Sequence, residues 1–259
     1  MDGAYRKITA VVLAGGDQGD RLASAAGVAT KALVPIEGRP MAWYVLRALE
    51  ASRSVSETIF VGPGSDGLGG GRLRAVPAGQ RFAQSLALGL GAALAVTPDT
   101  PMLVTTADVP WLSPEAVDRF VTAAGEAELA YPIVPERAAL ADFPTHRRTF
   151  VRLKQGRFTG GNLMLLKPQL VGPLLELIDR LYLSRKNPVA LAGLMGPGTL
   201  LALMFGRADL NRLERLASER LGGSVRAVVT DDACLAADVD RGDQLGEPPV
   251  IPAVRHAAR

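Results

Sequence analysis

The residues best equipped for chemistry are three acids in two distant places and two cations near the start: Asp108, the pair in Asp238-Val239-Asp240, Arg21 and Lys31. Asp108 follows the apolar run PMLVTTA and precedes Val109-Pro110. A carboxylate at the C-terminal end of a buried strand lies in the crevice where open α/β sheets bind ligands. Its other reading, as a cap for a helix opening at Pro114, needs a shorter spacing than the chain has. In Asp238-Val239-Asp240 an extended backbone has a period of two, so both acids share one face and Val239 takes the other. One or two carboxylates, phosphate oxygens and retained waters make up the surroundings Mg²⁺ prefers. The acids therefore point to metal-assisted phosphate chemistry.

The cations belong to the stretch ITAVVLAGGDQGDRLASAAGVATK, residues 8–31. Ile8–Leu13 is short, β-branched and uncharged, the pattern of a strand buried on both faces of a parallel sheet. It runs into Ala14-Gly15-Gly16, where absent side chains let backbone N–H groups approach a phosphate. Arg21 and Lys31 then offer positive charge to a polyanion above that strand end. Gly15, Gly16 and Gly19 do not have the G-x-G-x-x-G spacing, and no Gly-Lys-Ser/Thr follows, so the two commonest nucleotide loops are absent. An ordinary strand–helix turn beside two solvated cations is the alternative; a nucleoside triphosphate site is the reading preferred. A second glycine pair, in Phe158-Thr159-Gly160-Gly161-Asn162, reads either as a close approach to an acceptor, with Asn162 donating, or as a plain hairpin turn. Arg148 and Arg152 are either aimed at an acceptor phosphate or solvated.

Together LAGG, the following Arg and K-A-L-V-P-I-E-G-R-P-M (residues 31–41) resemble the N-terminal signature of the MobA-like nucleotidyltransferases. The resemblance continues through Thr105-Thr106-Ala107-Asp108-Val109-Pro110, residues 158–162 and Asp238-Val239-Asp240. It implies a three-layer, Rossmann-like nucleotide-diphospho-sugar transferase (GT-A-like) fold with a mixed, mostly parallel sheet. It also implies Mg²⁺-dependent transfer of a nucleoside monophosphate from an NTP, GTP or CTP favoured, to a small phosphorylated acceptor, with release of pyrophosphate. Carried over by position, Asp108 and Asp240 hold the metal, with Asp238 second in line after Asp240. Lys31 and Arg21 neutralise phosphate charge. Leu13, Ala14, Gly15, Gly16, Ser85, Gly161 and Asn162 bind substrate, Ser85 (or Gln84) standing where the family often reads the base. Arg241-Gly242 departs from the family's Thr-Pro, and the loop before Lys31 is longer, with Asp17 and Asp20 close to Arg21.

These residues must be held by a suitable scaffold. Strand patterns at 8–13, 58–61, 74–76, 102–105 and 129–132 alternate with helix patterns at Met41–Ala51, Phe82–Val96 and Pro114–Ala124, which implies βαβ units. Ser113-Pro114-Glu115 supplies a helix start. Extended pieces flank a turn at Gln155-Gly156. Helices at 170–183, 189–205 and 210–221 form an insertion, roughly 167–222, before a final strand at 224–230. Residues 1–247 read as a single domain, with 248–259 as a tail.

Composition sets the limits. The 259 residues are 48% hydrophobic and carry a net charge of +3, with no Lys/Arg stripe for nucleic acid. Cys234 is the single cysteine, and the histidines are His146 and His256, which excludes an internal disulfide and argues against a Cys or His metal centre. A start of MDGAYRK is unlike a signal peptide, and the cytoplasm is the expected location. Residues 187–206 hold no charge. Gly196-Pro197-Gly198 breaks them, so short apolar helices are expected there rather than a membrane span, as a buried hairpin, a cover or a homo-oligomer surface. A glycosyltransferase using a nucleotide sugar and a nucleotide-binding regulator without turnover are the competing readings.

Overall fold

The strand β1 (Ile8–Leu13) is buried at every residue. Ala10 and Val12 face one hydrophobic core and Val11 and Leu13 the other. A strand without a polar face requires helices on both sides, and the whole chain is arranged to supply them. The computed structural model describes residues 7–16, 19–66, 68, 72–184 and 196–245.

After β1 come α1 (Arg21–Ala25), β2 (Pro35–Ile36), β3 (Arg39–Pro40), α2 (Met41–Ala51), β4 (Val55–Val61) and β5 (Leu73–Val76). Next are α3 (Phe82–Val96), β6 (Met102–Thr106), α4 (Pro114–Ala124), β7 (Leu129–Pro135) and α5 (Glu136–Asp142). The described chain continues through β8 (Val151–Leu153), β9 (Gly156–Gly160), β10 (Leu163–Leu166), α6 (Val171–Ser184), α7 (Pro197–Met204), α8 (Leu210–Leu221) and β11 (Val225–Val229).

The main sheet has the order β5-β4-β1-β6-β10-β7-β9-β8, with β11 also paired to β7. β5, β4, β1 and β6 are parallel neighbours, as are β7 and β11; β10 and β9 run against the rest. The sheet is thus mixed, with most strands pointing one way. α2 and α4 cover one face through Val45, Leu49, Phe120 and Val121. The other face lies under α3 and α6, through Leu86, Leu90, Val171 and Leu174. Three layers result.

Local chemistry explains the sharper helix ends. Ser113 Oγ accepts from Ala116 N at 3.2 Å, with Pro114 in the first turn of α4. Asp209 caps α8 through Arg212 N, and Gly222, at φ +69°, ends it. Gly196 (φ +79°) precedes α7, which begins with Pro197. The short helices α1 and α5 lack a long apolar period and were not expected. The first part of the helix expected at 189–205, Asp17 and the tail 248–259 lie outside the described residues. No helix among the described residues is long and apolar enough to cross a membrane.

Candidate active site

β1 and β6 end side by side, tied by Ala107 N donating to Leu13 O at 3.0 Å, and a cleft of ≈ 340 Å³ opens beyond them. Leu13, Ala14, Gly15 and Gly16 form one wall, Phe82 and Ser85 another, and Lys31, Asp108 and Asp240 the end. Gly16 adopts φ +63°, a conformation natural to glycine, and a Cβ there would meet nothing nearer than Thr30 Cβ at 3.5 Å. Gly15 has a packing reason instead: a Cβ would stand 2.8 Å from Ala78 Cβ.

The acids are brought together by one backbone bond and one buried side chain. Val239 N donates to Asp108 O at 2.9 Å, and Val239 is buried among Val34, Ile36, Met41 and Tyr44. With Val239 turned inward, Asp238 and Asp240 both face Asp108, and one carboxylate oxygen from each of the three lies within 4.8 Å of the others. Gln244 holds the segment, its Oε1 accepting from Asp240 N and Arg241 N at 2.7 Å each.

Lys31 is the cation of this cluster. Its Nζ stands 2.5 Å from Asp108 Oδ2 and 2.8 Å from Asp240 Oδ1. Burial works against the ammonium, but Asp108 and then Asp240 more than offset it, so Lys31 sits above the usual lysine range and stays charged. Asp238 is engaged differently. Arg148 Nη1 donates to its Oδ1 at 2.5 Å and Arg148 Nε to Thr159 Oγ1 at 3.3 Å. Burial raises the Asp238 carboxyl above its ordinary range, opposed by Arg148 and reinforced by Asp108 and Asp240. Asp108 Oδ1 and Thr106 Oγ1 are buried without a hydrogen-bond partner. A buried carboxylate oxygen left so is costly unless something else binds it.

The remaining residues singled out by sequence fall in varied places. Ser85 is buried and lines the cleft, but its hydroxyl accepts from Gly79 N at 3.0 Å and so holds the β5–α3 loop. Gln84 does likewise, Oε1 accepting from Gln80 N. At Gly161 a Cβ would lie 2.7 Å from Pro132 Cγ, and Tyr131 Oη donates to Gly161 O at 2.6 Å. Asn162 lies close enough to Asp238 to favour its charged form, while its Nδ2 meets no acceptor at full hydrogen-bond geometry. Arg21 is exposed on the first turn of α1 and does not line the cleft; Asp20 does, and its side chain caps α1 through Ala23 N. Arg152 does not join Arg148: it is exposed and lies against Gly206.

Sequence reasoning missed Phe82, which lines the cleft with 58% of its surface exposed. Its helical period sets it in line with Leu86, Leu90 and Ala93, one turn ahead of them, so the pattern alone reads as one more core position and gives no signal that this first turn overhangs the cleft. His146 was also passed over. It is buried against Trp111 and Phe143, at ring centroid distances of 4.9 and 5.1 Å, and burial pushes its imidazole below the ordinary value.

The family model of the MobA-like NTP transferase domain matches residues 10–235. Among solved structures, a hypothetical transferase from Thermus thermophilus is 40% identical over 92% of this chain and 99% of its own, with a TM-score of 0.83. A 4-diphosphocytidyl-2C-methyl-D-erythritol synthase from Anaerococcus prevotii DSM 20548 is 14% identical over 93% of each chain, with a TM-score of 0.55. A CMP:2-keto-3-deoxy-manno-octonic acid synthetase complexed with CTP also has 14% identity and a TM-score of 0.55, over 93% of this chain and 95% of its own. These last two share the fold. No curated protein matches the chain.

Proposed function

The chain belongs to the MobA-like NTP transferase family, and on that footing we propose that it transfers a nucleoside monophosphate from GTP or CTP to a small phosphorylated acceptor, releasing pyrophosphate with the help of Mg²⁺. The observation that carries this reading is Asp108: its Oδ1 is buried without a partner, at the end of a cleft walled by a glycine turn, with carboxylates 238 and 240 alongside. An orphaned acidic oxygen among three carboxylates suits a hard divalent cation. Asp108 and Asp240 would hold it, the pair that the family resemblance assigns: both accept from the single ammonium of Lys31, whereas Asp238 is paired with the separate cation Arg148. Bound there, Mg²⁺ supplies neutralisation of phosphate charge.

The reaction forms a bond from an acceptor phosphate oxygen to the α-phosphorus and breaks the bond from that phosphorus to the α–β bridging oxygen. The electron pair leaves with pyrophosphate. Both reactants are anions, so positioning and charge neutralisation carry the catalysis, and no covalent enzyme intermediate is needed. Ala14 N donates to Val61 O, so the N–H groups of Gly15 and Gly16 are the ones offered to the phosphates, with Leu13 and Ala14 shaping the wall, and Lys31 adds a compact charge at the same end. Arg21, outside the cleft on the first turn of α1, contributes positive charge near its mouth without touching the pyrophosphate. Phe82 gives the nucleobase an apolar ring to lie on, with Ser85 keeping the adjoining loop in place. Asn162 borders Asp238 on the side assigned to the acceptor, and Gly161 precedes it in the turn. Such substrates and a single cysteine suit a reducing cytoplasm.

The test incubates the purified chain with each of the four NTPs, Mg²⁺ and a pool of phosphorylated metabolites, following pyrophosphate. Acceptor-dependent release with GTP or CTP is the expected result. Consumption of a nucleotide sugar without pyrophosphate would replace the reading with glycosyl transfer, and saturable NTP binding without any product would replace it with a regulator.

A further inference from the structure

The helix α7 is apolar on more than one side, and only one side is packed. Ala202 and Leu203 turn inward with Ile133, Leu153 and Phe158. Leu201, Met204 and the adjoining Phe205 are left 53%, 75% and 67% exposed. Val151, on the edge strand β8 against which α7 lies, is exposed as well. Side chains of this size are usually buried, and a contiguous exposed set marks a docking surface.

The border of this patch is cationic. Arg207 follows Phe205 by two positions. Lys154 N donates to Ala208 O at 2.9 Å, which fixes that residue beside the end of the helix. Arg152 runs along Gly206, where a Cβ would meet its Cδ at 2.6 Å. All three cations are exposed, and among the described residues none is in a salt bridge.

We propose that this surface docks in the plane of an anionic lipid bilayer, with Leu201, Met204 and Phe205 at the boundary of headgroups and acyl chains. Arg152, Lys154 and Arg207 then meet the lipid phosphates. The charge pattern selects this occupant over a second copy of the chain. A two-fold dimer sets one patch against its own image, which would bring the three cations toward the same three cations. An anionic membrane satisfies both halves of the patch at once. The inference stands independently of the nucleotide reading.

Co-sedimentation of the full chain with vesicles of phosphatidylglycerol mixed with phosphatidylcholine, and of phosphatidylcholine alone, tests it. Binding is expected to the anionic vesicles only and is weakened by 0.5 M salt, a condition chosen at roughly three times physiological ionic strength. The double variant Met204→Asp/Phe205→Asp should lose about tenfold in partitioning, and Lys154→Glu or Arg207→Glu about fivefold each. Unchanged melting temperatures show that the variants fold; the two charge variants, on exposed positions, keep the test alive if the double variant does not. Absence of binding to anionic vesicles, equal binding to neutral ones, or a wild-type dimer in sedimentation velocity that Met204→Asp/Phe205→Asp converts to monomer would each overturn the proposal.

Discussion

Two glycine pairs stand near the carboxylate cluster, and Gly16 differs from the other three glycines in what its missing side chain makes room for. At the end of β1, Gly16 lines the cleft with φ +63° as its conformational requirement, a Cβ there meeting only ordinary contact with Thr30, while Gly15 makes room for Ala78. At the end of β9, the space beside Gly160 is taken by the Tyr131 hydroxyl, and that beside Gly161 by Pro132 and the Leu235 carbonyl. Gly16 borders the ligand space; Gly15, Gly160 and Gly161 make room for the protein itself. Two glycines after a strand signal a close approach, but the approaching partner is decided by residues elsewhere in the chain.

Substitutions can break or sharpen this contrast. The largest effect belongs to the acid lying between the two pairs: Asp108→Asn should lower kcat by about 10²–10³-fold with little change in melting temperature. A fall in stability of matching size would instead make Asp108 structural. Gly161→Ala should cost about 1–3 kcal/mol of stability, since a methyl there overpacks against Pro132. Gly16→Ala should cost about 1 kcal/mol from its left-handed backbone, with a further loss in NTP affinity that Gly161→Ala does not show. Denaturant melts and nucleotide titrations on the two variants, side by side, would separate them; identical profiles would erase the contrast.

Phe82→Ala comes next, with about a tenfold rise in KM for the NTP and no loss of stability, because the ring is mostly in water. The smallest effect concerns pH. Burial depresses His146, so the unfolded chain takes up its proton first as pH falls. Stability is therefore expected to decline from about pH 6.5 downward, through the depressed value, as unfolded-state protonation sets in. His146→Phe should flatten that limb in thermal melts across pH 5–7, a range chosen around the ordinary histidine value.

Much of the scaffold was legible in the sequence for identifiable reasons. Ile8–Leu13, Met41–Ala51, Phe82–Val96, Pro114–Ala124 and Leu210–Leu221 have the limits that apolar period and caps predict. The antiparallel entry of β10 between β6 and β7 was not legible, because strand order is decided by long-range pairing. The period of two in Asp238-Val239-Asp240 does turn both acids toward Asp108, with Val239 as the buried anchor. What local pattern could not show is which charges meet. Lys31 reaches Asp240 across 209 positions of sequence, and Arg148 reaches Asp238 across 90. The exposure of Phe82 likewise depends on the walls around it.

The most direct measurement is calorimetric titration of GTP and CTP, with and without Mg²⁺, into the wild-type chain and into Asp108→Asn, Asp240→Asn and Asp238→Asn. Mg²⁺ is expected to strengthen NTP binding to the wild type and to the Asp238 variant, and to lose that influence in the other two. Equal strengthening in all four proteins would contradict a cation shared by Asp108 and Asp240.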